Sequence, residues 1–583
     1  MAYKEADVTD KIYELGKRRG FFWPSYEIYG GVAGFYDLGP YGVMLKNNIV
    51  AKWKRRFIYE HQDLIVEIET PVIGPEKVFV ASGHVESFTD PIVECLKCKR
   101  MFRADQLLEE AVGVKAEGLP PKEIEEIIRE KGVRCPVCGG ELGEVRLFNL
   151  LFKTQIGPYT GSTGYLRPET AQGMFLAFKR VFQAMREKLP IGIAQVGRVA
   201  RNEISPRQGM IRMREFTIME FEFFFDPENP ECDRLDSIYD EKIRVLPASE
   251  KARGEEKPIE VRVGEAVEEG IISTSWMAYW MWVSRKFLED LGVPSTKQFF
   301  EEKLPEERAH YSRQTFDQLV ETSRWGWIEV SGHAYRGDYD LSRHMEYSGE
   351  DLRVFKKYEK PVIQKKLEVK LNKALLGRML REKMKDVENA LMKMDLSALK
   401  DEIERKGYVE VCGIKVPKEC VSIVEKEVKL TGRRFIPHVV EPSFGCERLV
   451  YITLEYAYRV KGDRVILSIP RDLAPVKVAV LPLLSKGEMV DKARAIYRDL
   501  MKAGFTVMFD SSGSIGRRYA RADELGIPAS VTIDYRTLED NTVTIRDRDS
   551  WKQVRVPVSD LEKVLRDFIN GKSLEELGEP VQG

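Results

Sequence analysis

Histidine and cysteine are scarce in this chain, at six and eight among 583 residues. His61, His310, His333, His344 and His438 show no spacing suited to metal ligands or a catalytic base, which argues against histidine-centred chemistry. No run of 18 or more apolar residues occurs, which excludes a membrane-spanning helix. The opening MAYKEADVTDKIYELGKRRG has no apolar stretch of the kind a secretory signal needs, so a cytoplasmic location with no membrane partner is predicted. A charge excess of either sign is missing too: the net value is −1. A nucleic-acid partner is therefore not announced globally, and any surface for one must be a local patch.

What is present is an ordinary globular composition, 43% hydrophobic and 10% aromatic, in a 67.1 kDa chain too long for one core. Eight segments are predicted. Residues 1–90 mix a helix with strands, and helical character runs from Tyr41 to about Tyr59. Residues 91–145 form an inserted module in which two cysteine pairs bracket a Glu-rich helical stretch. Residues 146–225 return to strands, with a helix from Thr170 to Met185 and Thr170 as its N-cap. Residues 226–320 and 350–435 read as two further insertions, the second helical from LEVKLNKALLGRMLREKM onward. They flank 321–349, and 436–474 follows. From Pro475 to the end, strands and helices alternate as an α/β domain.

Cys95, Cys98, Cys135 and Cys138 form two Cys-x-x-Cys knuckles, the second followed by Gly-Gly. Four thiolates suit a closed tetrahedral Zn²⁺ site with a structural role. Four unligated buried thiols are the alternative. Cys232, Cys412, Cys420 and Cys446 are scattered and read as ordinary core or surface residues.

The most informative segment is 191–225. In its first arm Gln195, Arg201 and Glu203 share a parity. In its second, Phe216, Ile218, Glu220 and Glu222 share one face, and Thr217, Met219, Phe221, Phe223 and Phe225 the other. This predicts an antiparallel hairpin with an apolar back and a front bearing Arg, Glu and an aromatic ring. For alternation alone a solvated, salt-bridged front is the default reading. A nucleotide site is the sharper reading, with guanidinium groups for phosphates and a ring for a base.

Arg201, Asn202 and Glu203, a loop, then Arg214, Glu215 and Phe216 resemble motif 2 of the class II aminoacyl-tRNA synthetases. The segment from Gly39 to Gly42, with its following helix and Pro71, resembles motif 1. The run from Glu441 to Arg448 resembles motif 3. Each motif is loose, but the ordered set is specific. Segments 18–40, 81–91, 165–175 and 201–217 are similar to the homodimeric glycyl-tRNA synthetases in their archaeal or prokaryotic-like form, and the likeness covers nearly the whole chain.

That resemblance implies an α+β multidomain fold. It would have an antiparallel catalytic sheet flanked by helices and carrying insertions, and a C-terminal α/β anticodon-binding domain. It implies ATP, glycine, Mg²⁺ and tRNA(Gly) as ligands, and a homodimer. Arg201, Glu203 and Arg448 are the implied catalytic residues. ATP would also meet Asn202, Ile211, Arg212, Met213, Arg214, Glu215, Phe216, Glu329, Val330 and Gly445, with Glu329 holding Mg²⁺. Glycine would meet Arg103, Glu169, Phe216, Glu220, Glu441 and Ser443. The clustered carboxylates favour a charged amine between them. His84, in ASGH, falls near this site. Arg517, Arg518, Tyr519 and Arg521 would face the anticodon. Two rivals remain open: a synthetase of the same subclass for another amino acid, and a non-catalytic paralogue that binds RNA. A zinc-dependent nucleic-acid-binding protein leaves the arginine hairpin unexplained.

Overall fold

A computed structural model describes residues 7–581, except 115, 117, 159, 160 and 393. The chain divides into two compact units, 353–436 and the remainder.

The larger unit is built on a nine-stranded sheet. Its spatial order is Ile259–Arg262, Lys242–Leu246, Gln298–Glu302, Gln314–Thr322, Gly326–Gly337, His438–Gly445, Glu215–Phe225, Ile191–Ala200 and Ile65–Glu67. All neighbours are antiparallel except the pairs made by Ile65–Glu67 with Ile191–Ala200 and by Lys242–Leu246 with Gln298–Glu302. The predicted hairpin forms in full register, from Ile191 opposite Phe224 to Ala200 opposite Glu215.

Strand parity decides what lies on each face. Phe221 and Phe223 pack on Trp280, and Phe221 also contacts Trp53 and Phe57. This aromatic back face is covered by the helices Pro40–Trp53, Ser275–Asp290 and Cys446–Ala457. Gly42 permits the first of these to seat: a Cβ there would lie 1.8 Å from the carbonyl oxygen of Phe21. On the front face Phe224 stacks on Phe178 of the helix Ala171–Ala184, with ring centroids 4.3 Å apart. That helix packs on both arms of the hairpin.

Three sequence readings need correction. Residues 226–320 are not a separate insertion. Four of their strands extend the main sheet and the helix Ser275–Asp290 fills its core, so the polar loops between them disguise one continuous layer. LEVKL belongs to the strand Val354–Leu371, which pairs with Val421–Phe435; helices begin only at Lys373. Alternating Lys and apolar residues there fit a half-exposed strand as well as a helix. Finally, Ile191–Ala200 ends before Arg201, so strand parity does not orient Arg201 or Glu203.

The cysteine module is a three-stranded sheet ordered Met101–Arg103, Thr89–Cys95 and Leu142–Asn149. Two helices, Ala104–Val112 and Pro121–Glu130, pack on it. The C-terminal part has a six-stranded sheet with its own core around Val480, Val531, Ile545 and Phe568. The smaller unit has a separate core around Leu376, Val387, Leu399 and Val409. It carries 22 Lys and Arg against 13 Asp and Glu, a net +9 within a chain whose total is −1.

Candidate active site

A cavity of about 240 Å³ opens on the front of the sheet, lined by the hairpin, the two strands beside it and the loop between the hairpin arms. Arg201, Glu203, Arg212, Phe216, Glu329 and Arg448 lie toward one side. Glu169, Glu220, Glu441 and Ser443 form its inner part.

One carboxylate ties the surrounding elements together. Glu447, buried at the start of Cys446–Ala457, accepts from Thr217 N at 2.7 Å and Arg198 Nη1 at 3.1 Å, with Lys46 Nζ 3.5 Å away. Lys46 lies on Pro40–Trp53, so the three sequence motifs meet at this group. The loop between the hairpin arms is pinned at Gly209, whose φ is +59°. A Cβ there would collide with the Tyr13 hydroxyl, which accepts from Met210 N at 2.8 Å.

Arg201 Nε donates to the Pro168 carbonyl at 3.0 Å, and its guanidinium lies 5.5 Å from the Phe216 ring centroid and 5.6 Å from that of Phe88. Arg212 Nε donates to Glu203 Oε2 at 2.7 Å. Arg448 Nε donates to Ile211 O at 2.9 Å, and its Nη1 to the Glu329 carbonyl. The arginines are thus held in place while facing the cavity.

The inner end is an acid cluster around one buried cation. Arg336 donates through Nε to Glu441 Oε2 at 2.8 Å and through Nη1 to Asp340 Oδ2 at 3.1 Å. Its Nη2 lies 3.4 Å from Glu169 Oε2, and Glu222 is 3.9 Å from Nε. The Arg336 guanidinium also sits 3.8 Å from the Tyr311 ring centroid. Glu220 accepts from Thr170 N, Thr170 Oγ1 and, at 2.8 Å, Ser443 Oγ. Thr170 therefore stands at the helix start without capping it, because its hydroxyl serves Glu220.

Five carboxyls around one guanidinium cannot all ionise cheaply. Burial pushes Glu441 up to about 7, with Arg336 opposing. Burial and the neighbouring charge of Glu169 raise Glu220; burial and Glu441 hold Glu222 well above the usual carboxylate range. Glu169 alone is held well below it: burial disfavours its charge, but Arg336 and His84 outweigh that. His84 Nε2 is 3.5 Å from Glu169 Oε1. The pocket therefore combines an arginine-rich side with an acidic end short of cations.

The matches to known proteins agree. A family model described as tRNA synthetase class II core domain (G, H, P, S and T) matches residues 159–247, and one described as anticodon binding domain matches 477–568. The glycine–tRNA ligase of Aeropyrum pernix is 60% identical over 99% of both chains. Those of Pyrococcus furiosus and Methanocaldococcus jannaschii are 48% and 45% identical, over 97% of this chain and 100% and 99% of theirs. The chain belongs to the glycine–tRNA ligase family.

Within this class II ligase fold the cavity gathers Ile211, Met213, Val330 and Gly445 beside the charged groups. Other assignments move. Arg214 is a brace: its Nε and Nη2 donate to Glu203 O and its Nη1 to Ala33 O. Glu215 has the opposite strand parity and pairs with Arg198 at 2.7 Å, outside the cavity. Asn202 does not line the cavity; its N–H donates to Leu150 O at 2.7 Å. Arg103 lies across the loop from the glutamates, bonded to Asp105.

In the C-terminal domain Arg518 is buried, donating to Ser511 O, Gly513 O and Ser485 Oγ. Tyr519 bonds Thr532 Oγ1 and lies under Arg546, and Arg521 Nε is taken by Asp510 at 2.7 Å. Only Arg517 of the four predicted residues is exposed, with a side chain unbonded among the described residues.

Arg336 and Asp340 escaped sequence reasoning, although they follow Glu329 and Val330 closely in AYRGDYD, and Glu222 was placed on the hairpin front without a role. Asp317 was also missed; burial and the nearby Glu329 push it up to about 7. The cysteine Sγ atoms all lie within 4.8 Å of one another, with Cys95 to Cys138 at 3.5 Å and Cys98 to Cys135 at 3.7 Å. A Zn–S bond of about 2.3 Å gives tetrahedral edges of roughly 3.8 Å, so the four thiols fit that ion.

Proposed function

We propose that this chain activates glycine with ATP to glycyl-adenylate and transfers the glycyl group to the 3′ end of tRNA(Gly). The observation that carries this reading is the juxtaposition of an arginine-lined chamber with a buried acidic end in one cavity. Arg201, Arg212 and Arg448 would take the phosphates, and Phe216 with Arg448 would sandwich the adenine. In-line attack of the glycine carboxylate on the α-phosphate needs charge stabilisation and alignment, which Arg201 supplies, and no covalent enzyme intermediate. Glu329, with Asp317 beside it, would hold Mg²⁺, whose chemistry is to neutralise the leaving pyrophosphate. Glu169, Glu220, Glu441 and Ser443 would receive the ammonium group. Because Arg336 satisfies only part of the acid cluster, a second cation completes it.

The Cys95, Cys98, Cys135 and Cys138 site would hold a structural Zn²⁺. tRNA would be met by Arg517 in the C-terminal domain, and the +9 unit at 353–436 supplies the local positive charge that the near-neutral whole lacks. Ile28 and Tyr29 are 89% and 85% exposed in the turn Glu27–Tyr29, between the strands Phe22–Pro24 and Tyr36–Leu38, an apolar surface that suits a homodimer. The cell interior is the proposed location. Glu220→Gln tests the amine site: glycine KM should rise far more than ATP KM in glycine-dependent pyrophosphate exchange. Equal rises would contradict the assignment.

A further inference from the structure

The four-cysteine module touches the loop between the hairpin arms at three places. Ser205 Oγ donates to Met101 O at 2.7 Å, the Arg207 guanidinium lies 5.2 Å from the Phe102 ring centroid, and Arg212 Nη2 is 3.7 Å from Asp90 Oδ2. Asp90 sits on Thr89–Cys95, the strand that ends in the first cysteine of the module.

The surroundings of Asp90 are unusual. Its Oδ2 is buried and accepts no hydrogen bond, yet two guanidinium groups flank it, Arg103 Nη1 at 3.3 Å and Arg212 Nη2 at 3.7 Å. Asp105 holds Arg103 from the far side, accepting from Nη2 at 2.8 Å, and Glu203 accepts from Arg212 Nε at 2.7 Å. The result is a row of alternating charge, Asp105, Arg103, Asp90, Arg212, Glu203, running from the module into the cavity. Without the Asp90 charge, two arginines would face each other across a partly buried gap.

A guanidinium is planar, so fixing Nε and Nη2 also fixes the direction of Nη1. Glu203 and Asp90 engage those two atoms of Arg212, and Nη1 has no partner among the described residues. Arg212 lines the main cavity.

We infer that Asp90 is a positioning residue for Arg212: carried by the four-cysteine module, it orients the guanidinium so that Nη1 meets the phosphates of incoming ATP. The module is then part of the activation site and not a detached appendage. This rests on the reading of Arg212 as a phosphate ligand. Pre-orienting the side chain removes ordering cost at the moment of binding, so the effect belongs to ATP and not to glycine.

The test is a double-mutant cycle in the full-length chain, read by glycine-dependent pyrophosphate exchange. Asp90→Asn, nearly isosteric, should raise ATP KM by about tenfold and leave glycine KM within about twofold. Asp90→Glu should recover part of the loss. Arg212→Ala should raise ATP KM, and Asp90→Asn added to it should do no further harm. An additive double variant, or equal rises in both KM values, would overturn the inference. Arg212→Ala impaired with Asp90→Asn unaffected would overturn it alone. An unaffected Arg212→Ala would overturn the phosphate reading and this inference together.

Discussion

Arg336 Nε donates to Glu441 Oε2 at 2.8 Å, both buried, and the same guanidinium reaches Asp340 and Glu169. The acidic end of the cavity is therefore built around an internal cation, not left as bare carboxylates awaiting a ligand. Sequence reasoning held that clustered glutamates need an amine between them. The structure modifies this: Arg336 makes the cluster foldable, and the proposed ammonium would meet the carboxyls it leaves short of charge.

Removing that cation should be severe. Arg336→Met strands several buried acids, and breaking one partner from such a network costs about 3–5 kcal/mol. Thermal melting should show the loss, larger at pH 8 than at pH 6, where protonation of Glu441 relieves the repulsion.

Glycine binding should depend on pH through Glu441. Its carboxyl, pushed up to about 7 by burial, is protonated below that value and then offers an ammonium no charge. Glycine KM should rise as pH falls from 8 to 6, approaching about tenfold per pH unit in the acidic limb. The sign for stability is opposite: the folded state retains protons that the unfolded chain has released, so Glu220, Glu222 and Glu441 destabilise the fold as pH rises above the usual carboxylate range, for Glu441 up to about 7. A flat glycine KM from pH 6 to 8 would contradict the assignment.

The C-terminal arginines should separate by role. Arg517→Ala should raise the KM for tRNA in glycylation and leave the melting temperature unchanged, since its side chain is exposed and unbonded. Arg518→Ala should lower the melting temperature, because five acceptors around it lose a buried donor. Paired aminoacylation kinetics and melting curves check both.

The cysteine module should depend on the Zn²⁺ proposed for it. Its apolar core is small, centred on Val93, Phe102, Leu108 and Ile124. Cys98→Ser should abolish zinc binding measured by elemental analysis and expose 89–149 to limited proteolysis.

Much of this was legible in the sequence where a local rule applied. Hairpin parity placed Glu220 in the pocket and Phe221 in the core, and the Cys-x-x-Cys spacing marked a cluster that does close. What failed was long-range or depended on which bond a side chain takes. Residues 226–320 looked inserted because sheet membership is set by pairing across distant sequence. Arg214 and Arg518 looked like free cations because sequence does not reveal a nearby backbone carbonyl. Arg336 carried no periodic signal, since three of its four partners come from distant places in the chain.

The central claim is that one cavity pairs an ATP chamber with an amine site fitted to glycine. Amino-acid-dependent ATP–pyrophosphate exchange, run with the purified chain against each of the twenty amino acids, tests it most directly. Exchange with glycine alone is expected. Exchange with another amino acid in its place, or none from folded protein, would contradict it.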